Sequence, residues 1–252
     1  MIFFFAALTG ACIGSFLNAL AFRLYEGWTL QGRSKCPHCQ TTLRPHHLIP
    51  VVSWVLLRGK CAACHKRIHI LYPLAEILCG CVWVLTIARV LSGPFTWAML
   101  AFYVAFFSLL FFLALFDARY QRLPTELMVV STGLFGAGSL ALQLVTWEQA
   151  AWGALLGLLF FGAQVVLSNG AWMGSGDPVL GVLIGAVVGW RLLGWGMYLT
   201  YTVSALIVGC LWLLGLIRRR ARIAFAPLLC SGVFLAWYLA PHLEQLLTRL
   251  LG

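Results

Sequence analysis

Apolar positions along this chain fall in long unbroken runs instead of the narrow stripes of a soluble amphipathic helix. Eight such runs lie at roughly 2–21, 70–92, 95–116, 127–146, 150–168, 178–194, 196–217 and 224–247. A helix of about 17 to 25 residues rising 1.5 Å per residue crosses a hydrocarbon layer of about 30 Å. The sixth run is the shortest. One long polar stretch, 22–69, separates the first run from the second. The pattern predicts an all-α integral membrane protein of about eight transmembrane helices with a small insert between the first two. Its expected divisions are a first helix over 1–21, the insert over 22–69, and a helical core over 70–252. The opening run MIFFFAALTGACIGSFLNAL lacks the charged leader and cleavage site of a secretory signal and reads as a retained span.

Composition agrees: with 62% apolar and 10% charged residues and a mean hydropathy of +0.93, the chain has too little polar surface to cover a soluble globule. The net charge of +10 does not mark a nucleic-acid binder, because the cations are not gathered on one soluble face. They follow the runs. With eight crossings, the stretches 22–69, 117–126, 169–177 and 218–223 share one side and hold 14 of the 17 Lys and Arg. That side is expected to be cytoplasmic, with both termini outside the cytoplasm.

Cys36-Pro-His-Cys39 and Cys61-Ala-Ala-Cys64 lie within the insert. Two short turns, each presenting two thiolates, suit a tetrahedral metal, zinc above all. A disulfide pair fits an expected cytoplasmic location poorly, since thiols there stay reduced, and a redox pair would need only one such motif. An insert this small buries little core, so metal binding is expected to supply much of its folding free energy. His38, His46, His47, His65 and His69 lie in or beside the loop as spare ligands or solvated side chains. Cys12, Cys79, Cys81, Cys210 and Cys230 sit in apolar runs and read as small hydrophobes.

The chain has seven acids, and only two are aspartates. Asp117 ends the third run and Asp177 precedes the sixth, so both are expected at the cytoplasmic ends of spans. Ionisable groups at membrane depth are costly and by default suggest function. Two neighbouring carboxyls share a proton: one can activate water while its protonated partner donates to a peptide carbonyl. Gly174 and Gly176 precede Asp177 in Gly174-Ser175-Gly176-Asp177 and leave room for a substrate backbone. The bland alternative is two carboxylates snorkelling at the interface beside Arg119 or Arg122. Pro124 is expected to end the structure after Asp117. Gly10 and Gly14 form a small-xxx-small pair that predicts close helix packing, and Asn18 is expected to hydrogen-bond across helices. Glu76, a third acid within an apolar run, could hold an amine, assist a transfer, or pair with a cation such as Arg23.

Taken in order, GSFLNALAFRL at 14–24, CPHC at 36–39, IPVVSWVLLRGKCAAC at 49–64, YPLAEIL at 72–78, FDARYQRLP at 116–124 and GSGD at 174–177 resemble the prepilin peptidases, or type IV leader peptidases, of the GxGD aspartic protease group. The resemblance implies that Asp117 and Asp177 are the catalytic pair. It further implies cleavage of the leader from membrane-inserted prepilins or type II secretion pseudopilins at the cytoplasmic face of the bacterial inner membrane. Bifunctional members, with which the cysteine insert is associated, then methylate the new N-terminus using S-adenosylmethionine. Two departures stand out: Pro178-Val179 replaces the usual small residue and Lys after GxGD, and the lead-in to Tyr72 is unusually apolar. An ion-coupled transporter using the same aspartates is the competing class, although no internal repeat supports it. A membrane scaffold for pilus or secretion machinery is a third.

Overall fold

The computed structural model of the chain describes residues 1–29, 32–215 and 224–251, with side chains through 241. Arg218, Arg219, Arg220 and Arg222, which entered the charge argument, lie outside the described residues. The chain divides into two compact units, Met1–Leu115 and Phe116–Gly252.

The first unit begins with α1 (Ile2–Glu26). This helix continues beyond its apolar run until Gly27, whose left-handed backbone (φ 69°) closes it and lets the Trp28 amide reach the Arg23 carbonyl at 2.8 Å. The insert follows, with a 3₁₀ turn at Pro45–Leu48 and the short α2 (Val52–Leu56). Then come α3 (Leu71–Leu91) and the start of α4 (Trp97–Tyr120), which runs into the second unit. α1 packs on α3 through the small residues. A Cβ at Gly10 would sit 2.9 Å from the Gly80 Cα, and one at Gly14 would sit 2.8 Å from the Cys79 Cβ. The close packing expected of Gly10 and Gly14 is therefore present. Asn18 differs from expectation: its amide donates to the Gly14 carbonyl of its own helix (3.1 Å), not across to α3.

The second unit contains the end of α4 and then α5 (Thr125–Ala141), α6 (Trp147–Leu167), α7 (Asp177–Leu213) and α8 (Ala226–Leu251). α5, α6 and α8 all pack on α7. A Cβ at Gly157 would collide with the Gly181 backbone, so α6 and α7 meet almost backbone to backbone. α6 starts with a capping box in which Thr146 and Gln149 exchange hydrogen bonds.

α7 joins the sixth and seventh apolar runs, and its break comes at Gly189 (φ 77°, ψ 167°), earlier than the run boundary. That conformation is essentially reserved for glycine. A straight helix would separate Asp177 from Tyr201 by roughly 36 Å, yet Tyr201 lies in the electrostatic field of Asp177. Gly189 thus folds α7 into two arms that bring Tyr201 back toward the aspartate.

The architecture is all-helical, with no strand among the described residues, and it is that of a multi-pass membrane protein. Among the described residues, five helices are long and apolar enough to cross a membrane: α1, α3, α4, α6 and α7. Thr125–Ala141 is a shorter apolar helix, and Ala226–Pro241 is the apolar part of α8 whose side chains are described. With the two arms of α7, they account for the difference between eight apolar runs and five full-length helices. Only 22% of the most apolar window of α6 is buried inside the chain; the remainder is the apolar surface a bilayer would cover. Trp97 and Trp147 open α4 and α6 as exposed side chains, where interfacial tryptophans belong.

Candidate functional site

Asp117 lies in the last turn of α4, where the helix dipole disfavours a negative charge. Its position is made tolerable from 109 residues away. Asp117 Oδ2 accepts the Ala226 amide at 3.0 Å, and the Phe225 amide also bonds this carboxylate. Both donors sit at the start of α8, so the favourable end of one dipole offsets the unfavourable end of another. The side chain is only 8% exposed. Pro124 stands just before α5, and the Gln121 amide closes α4 onto the Asp117 carbonyl at 2.8 Å; the expected short return loop is present.

Asp177 opens α7 and is 6% exposed. Its Oδ2 accepts the Gly174 amide at 2.9 Å. Pro178 occupies the first turn, where its missing N–H costs nothing. Gly176 also makes a contact within the chain. A Cβ there would lie 2.9 Å from the Leu123 Cβ in the α4–α5 loop, so the glycine admits the chain's own Leu123 and seats Asp177 against the segment following Asp117. The two carboxyls lie in one another's electrostatic field, and the buried thiol of Cys230 on α8 lies in the field of both. The sequence did not suggest Ala226, Leu123, Cys230 or the Tyr201 hydroxyl, which donates to Gln164 Oε1 at 3.0 Å. Pro227, in the first turn of α8, is the one local signal that could have marked this helix start, but nothing local ties that start to Asp117.

Glu76 belongs to the first unit, not to this aspartate neighbourhood. It is 8% exposed on α3, and its Oε2 accepts the Val51 amide at 2.7 Å. Val51 holds φ 61°, unusual for a β-branched residue and costing about 1–3 kcal/mol. The strained backbone aims that N–H at the acid. Nearby Asn18 is 1% exposed, and its Oδ1 is buried without a hydrogen-bond partner, a loss of about 1–3 kcal/mol.

The insert brings Cys36, Cys39, Cys61 and Cys64 together, with ligand atoms all within 4.8 Å of one another. The two knuckles repeat the same local geometry. In the first, the Cys36 amide donates to Thr41 and the Gln40 amide to Cys36; in the second, Cys61 pairs with Lys66 and His65 with Cys61. Gln40 and His65, the corresponding positions, both take φ 56°, and the bridges Lys35–Thr42 and Lys60–Arg67 close the two turns. Four thiolates about 2.3 Å from a tetrahedral metal lie about 3.8 Å apart; Cys36 Sγ and Cys64 Sγ are 3.9 Å apart. The set fits a metal ion. All nine cysteines are free, and none of the neighbouring histidines joins the cluster among the described residues; of the five in apolar runs, expected to be buried, Cys79 and Cys230 are buried, whereas Cys12, Cys81 and Cys210 are exposed on the apolar surface of their helices. Hydrogen bonding from Thr41 pushes Cys39 down to about 6, and the Cys64 and Ala63 amides lower Cys61. For Cys64 the Lys66 amide pulls downward, but burial and the other sulfurs push it up to about 11.

Fold and site together define a polytopic helical membrane protein with a buried carboxyl pair and an insert whose four clustered cysteines could hold a metal ion. Residues 8–90 match the bacterial peptidase A24 N-terminal domain, and residues 104–214 match the type IV leader peptidase family. The chain belongs to the type IV leader peptidase family. It is 30% identical to the prepilin leader peptidase/N-methyltransferase of Bacillus subtilis (strain 168), over 90% of each chain. It is 32% identical to the protein of that name from Dickeya chrysanthemi, over 91% of this chain and 87% of that one. A type 4 prepilin-like proteins leader peptide-processing enzyme of Escherichia coli O78:H11 is 30% identical over 93% of each. These relatives are named as leader peptidases, and the transporter reading finds no support among them. No solved structure matches the chain.

Proposed function

We propose that Asp117 and Asp177 hydrolyse the leader junction of type IV prepilins or type II secretion pseudopilins without a covalent intermediate. The supporting observation is the pair itself: two buried carboxyls from different helices, each bonded to backbone amides and each within the field of the other. Burial and mutual repulsion favour one shared proton. The ionised carboxyl takes a proton from water as it attacks the scissile carbonyl, while the protonated partner donates its proton to the carbonyl oxygen; on collapse the proton taken from water passes to the leaving amine and the partner recovers its own from the diol. Gly174 and Gly176 set the position of Asp177. The substrate lays its apolar N-terminal helix in the bilayer and presents its junction at the cytoplasmic face of the bacterial inner membrane. In this reading 1–21 is the first span, 22–69 the cytoplasmic insert, and 70–252 the protease core. The four cysteines hold structural zinc.

The relatives' names and the cysteine insert also support N-methylation of the new N-terminus. S-adenosylmethionine would supply an electrophilic methyl group that a neutral amine accepts; the chain's part is to bind the donor and orient the amine.

The test is cleavage of a purified pilin precursor by the solubilised wild type, Asp117→Asn and Asp177→Asn, with mass spectrometry of the product. Loss of at least 10³-fold in both variants is expected, since general acid–base groups contribute about 10² to 10⁴ each. Retained cleavage in either variant overturns the dyad. A methyl mass increment on the wild-type product checks the second activity.

A further inference from the structure

Beside the cysteine knuckles, α1, α3 and the insert enclose a cavity of about 750 Å³ that the proposed hydrolysis does not use. The first unit carries it, and neither aspartate lines it. Its size is that of a small-molecule site.

Two buried polar groups face this space. Asn18 lines it, with its own carbonyl oxygen buried and without a donor behind that wall, and Glu76 lines it with a carboxylate anchored on one oxygen by the Val51 amide. A fixed acid beside an unsatisfied acceptor calls for a donor-rich cation such as an ammonium group. Trp28 and Trp54 supply flat apolar walls, suited to a purine ring or to a cationic sulfur held over an aromatic face. Lys35 and Arg67 are exposed at the same cavity and offer counter-charge to a carboxylate. The knuckle cysteines Cys36 and Cys61 also line it.

A ligand answering all of these groups has an α-amino acid end, a positive sulfur and a purine. The geometry points to this cavity as the S-adenosylmethionine site, with Glu76 and Asn18 binding the amino group and Trp28 and Trp54 embracing the adenosyl sulfonium. The assignment rests on the N-methylation reading above. It gives Glu76 and the unpaired Asn18 oxygen a shared purpose.

The experiment is calorimetric titration of S-adenosylmethionine into the purified full-length protein, zinc-loaded and in detergent, for the wild type, Glu76→Gln, Asn18→Leu, Lys35→Glu and Asp177→Asn. Thermal unfolding and metal content establish that each variant is folded, and Lys35→Glu reads the site from its exposed rim if a buried substitution destabilises the chain. Saturable wild-type binding is expected, weakened at least tenfold in Glu76→Gln and Asn18→Leu and severalfold in Lys35→Glu, with Asp177→Asn binding like the wild type. Equal affinity in the three cavity variants overturns the site while leaving N-methylation standing. A wild type that cleaves precursor but binds no S-adenosylmethionine overturns both.

Discussion

Gly176 shows how much a single position settles. Its hydrogen leaves space that Leu123 fills, and the contact ties the loop after Asp117 to the residue before Asp177. Gly176→Ala therefore overpacks this joint. A loss of about 1–3 kcal/mol is expected in thermal unfolding, together with a fall in precursor cleavage. Leu123→Ala on the same background should recover part of each, because the two changes share one contact; additive effects in that double-mutant cycle would refute the contact as the cause. The aspartates were legible because charge is so scarce here that each acid in an apolar run draws notice. Their partners were not. The Ala226 amide is an unremarkable backbone group until α8 brings it to Asp117.

At the scale of elements, the knuckles and the broken α7 behave differently. CxxC spacing is local chemistry, so the four cysteines that cluster in the insert could be read directly. Its titration needed coordinates. With Cys39 held down at about 6 and Cys64 held up at about 11, the apo cluster near neutral pH mixes thiolate and thiol. Since a metal requires thiolates, uptake should release protons, and apparent affinity should rise with pH through the neutral range. Calorimetry in buffers of different ionisation enthalpy measures this directly; pH-independent uptake would refute it. Chelation should melt the insert while the helical signal of the spans persists in circular dichroism. α7 depends on Gly189, whose backbone is closed to side chains. Gly189→Ala is expected to cost about 1–3 kcal/mol and to lower cleavage by moving Tyr201 and the second arm. Wild-type stability and activity in this variant would show that the turn tolerates a Cβ.

Across the whole molecule, the topology proposed from charge bias puts 22–69 and both carboxyls on the cytoplasmic side. Trypsin added to inverted membrane vesicles after metal removal should cut at Arg33, Lys35, Arg58 or Lys60, and intact spheroplasts should be protected. The reverse pattern would invert the topology. The sequence alone determined the membrane setting, the helical class, the four cysteines that could hold a metal and the two candidate acids. Each follows from composition or from spacing within about a turn of chain. Tertiary structure decided that the sixth and seventh runs form one element broken at Gly189, that α8 caps Asp117, that Gly176 receives Leu123, and that Asn18 and Glu76 face one cavity. Apart from the Gly189 break, those relations join residues from 53 (Leu123 to Gly176) to 109 (Asp117 to Ala226) positions apart, and in apolar helices of nearly uniform composition no periodic pattern marks which faces will meet.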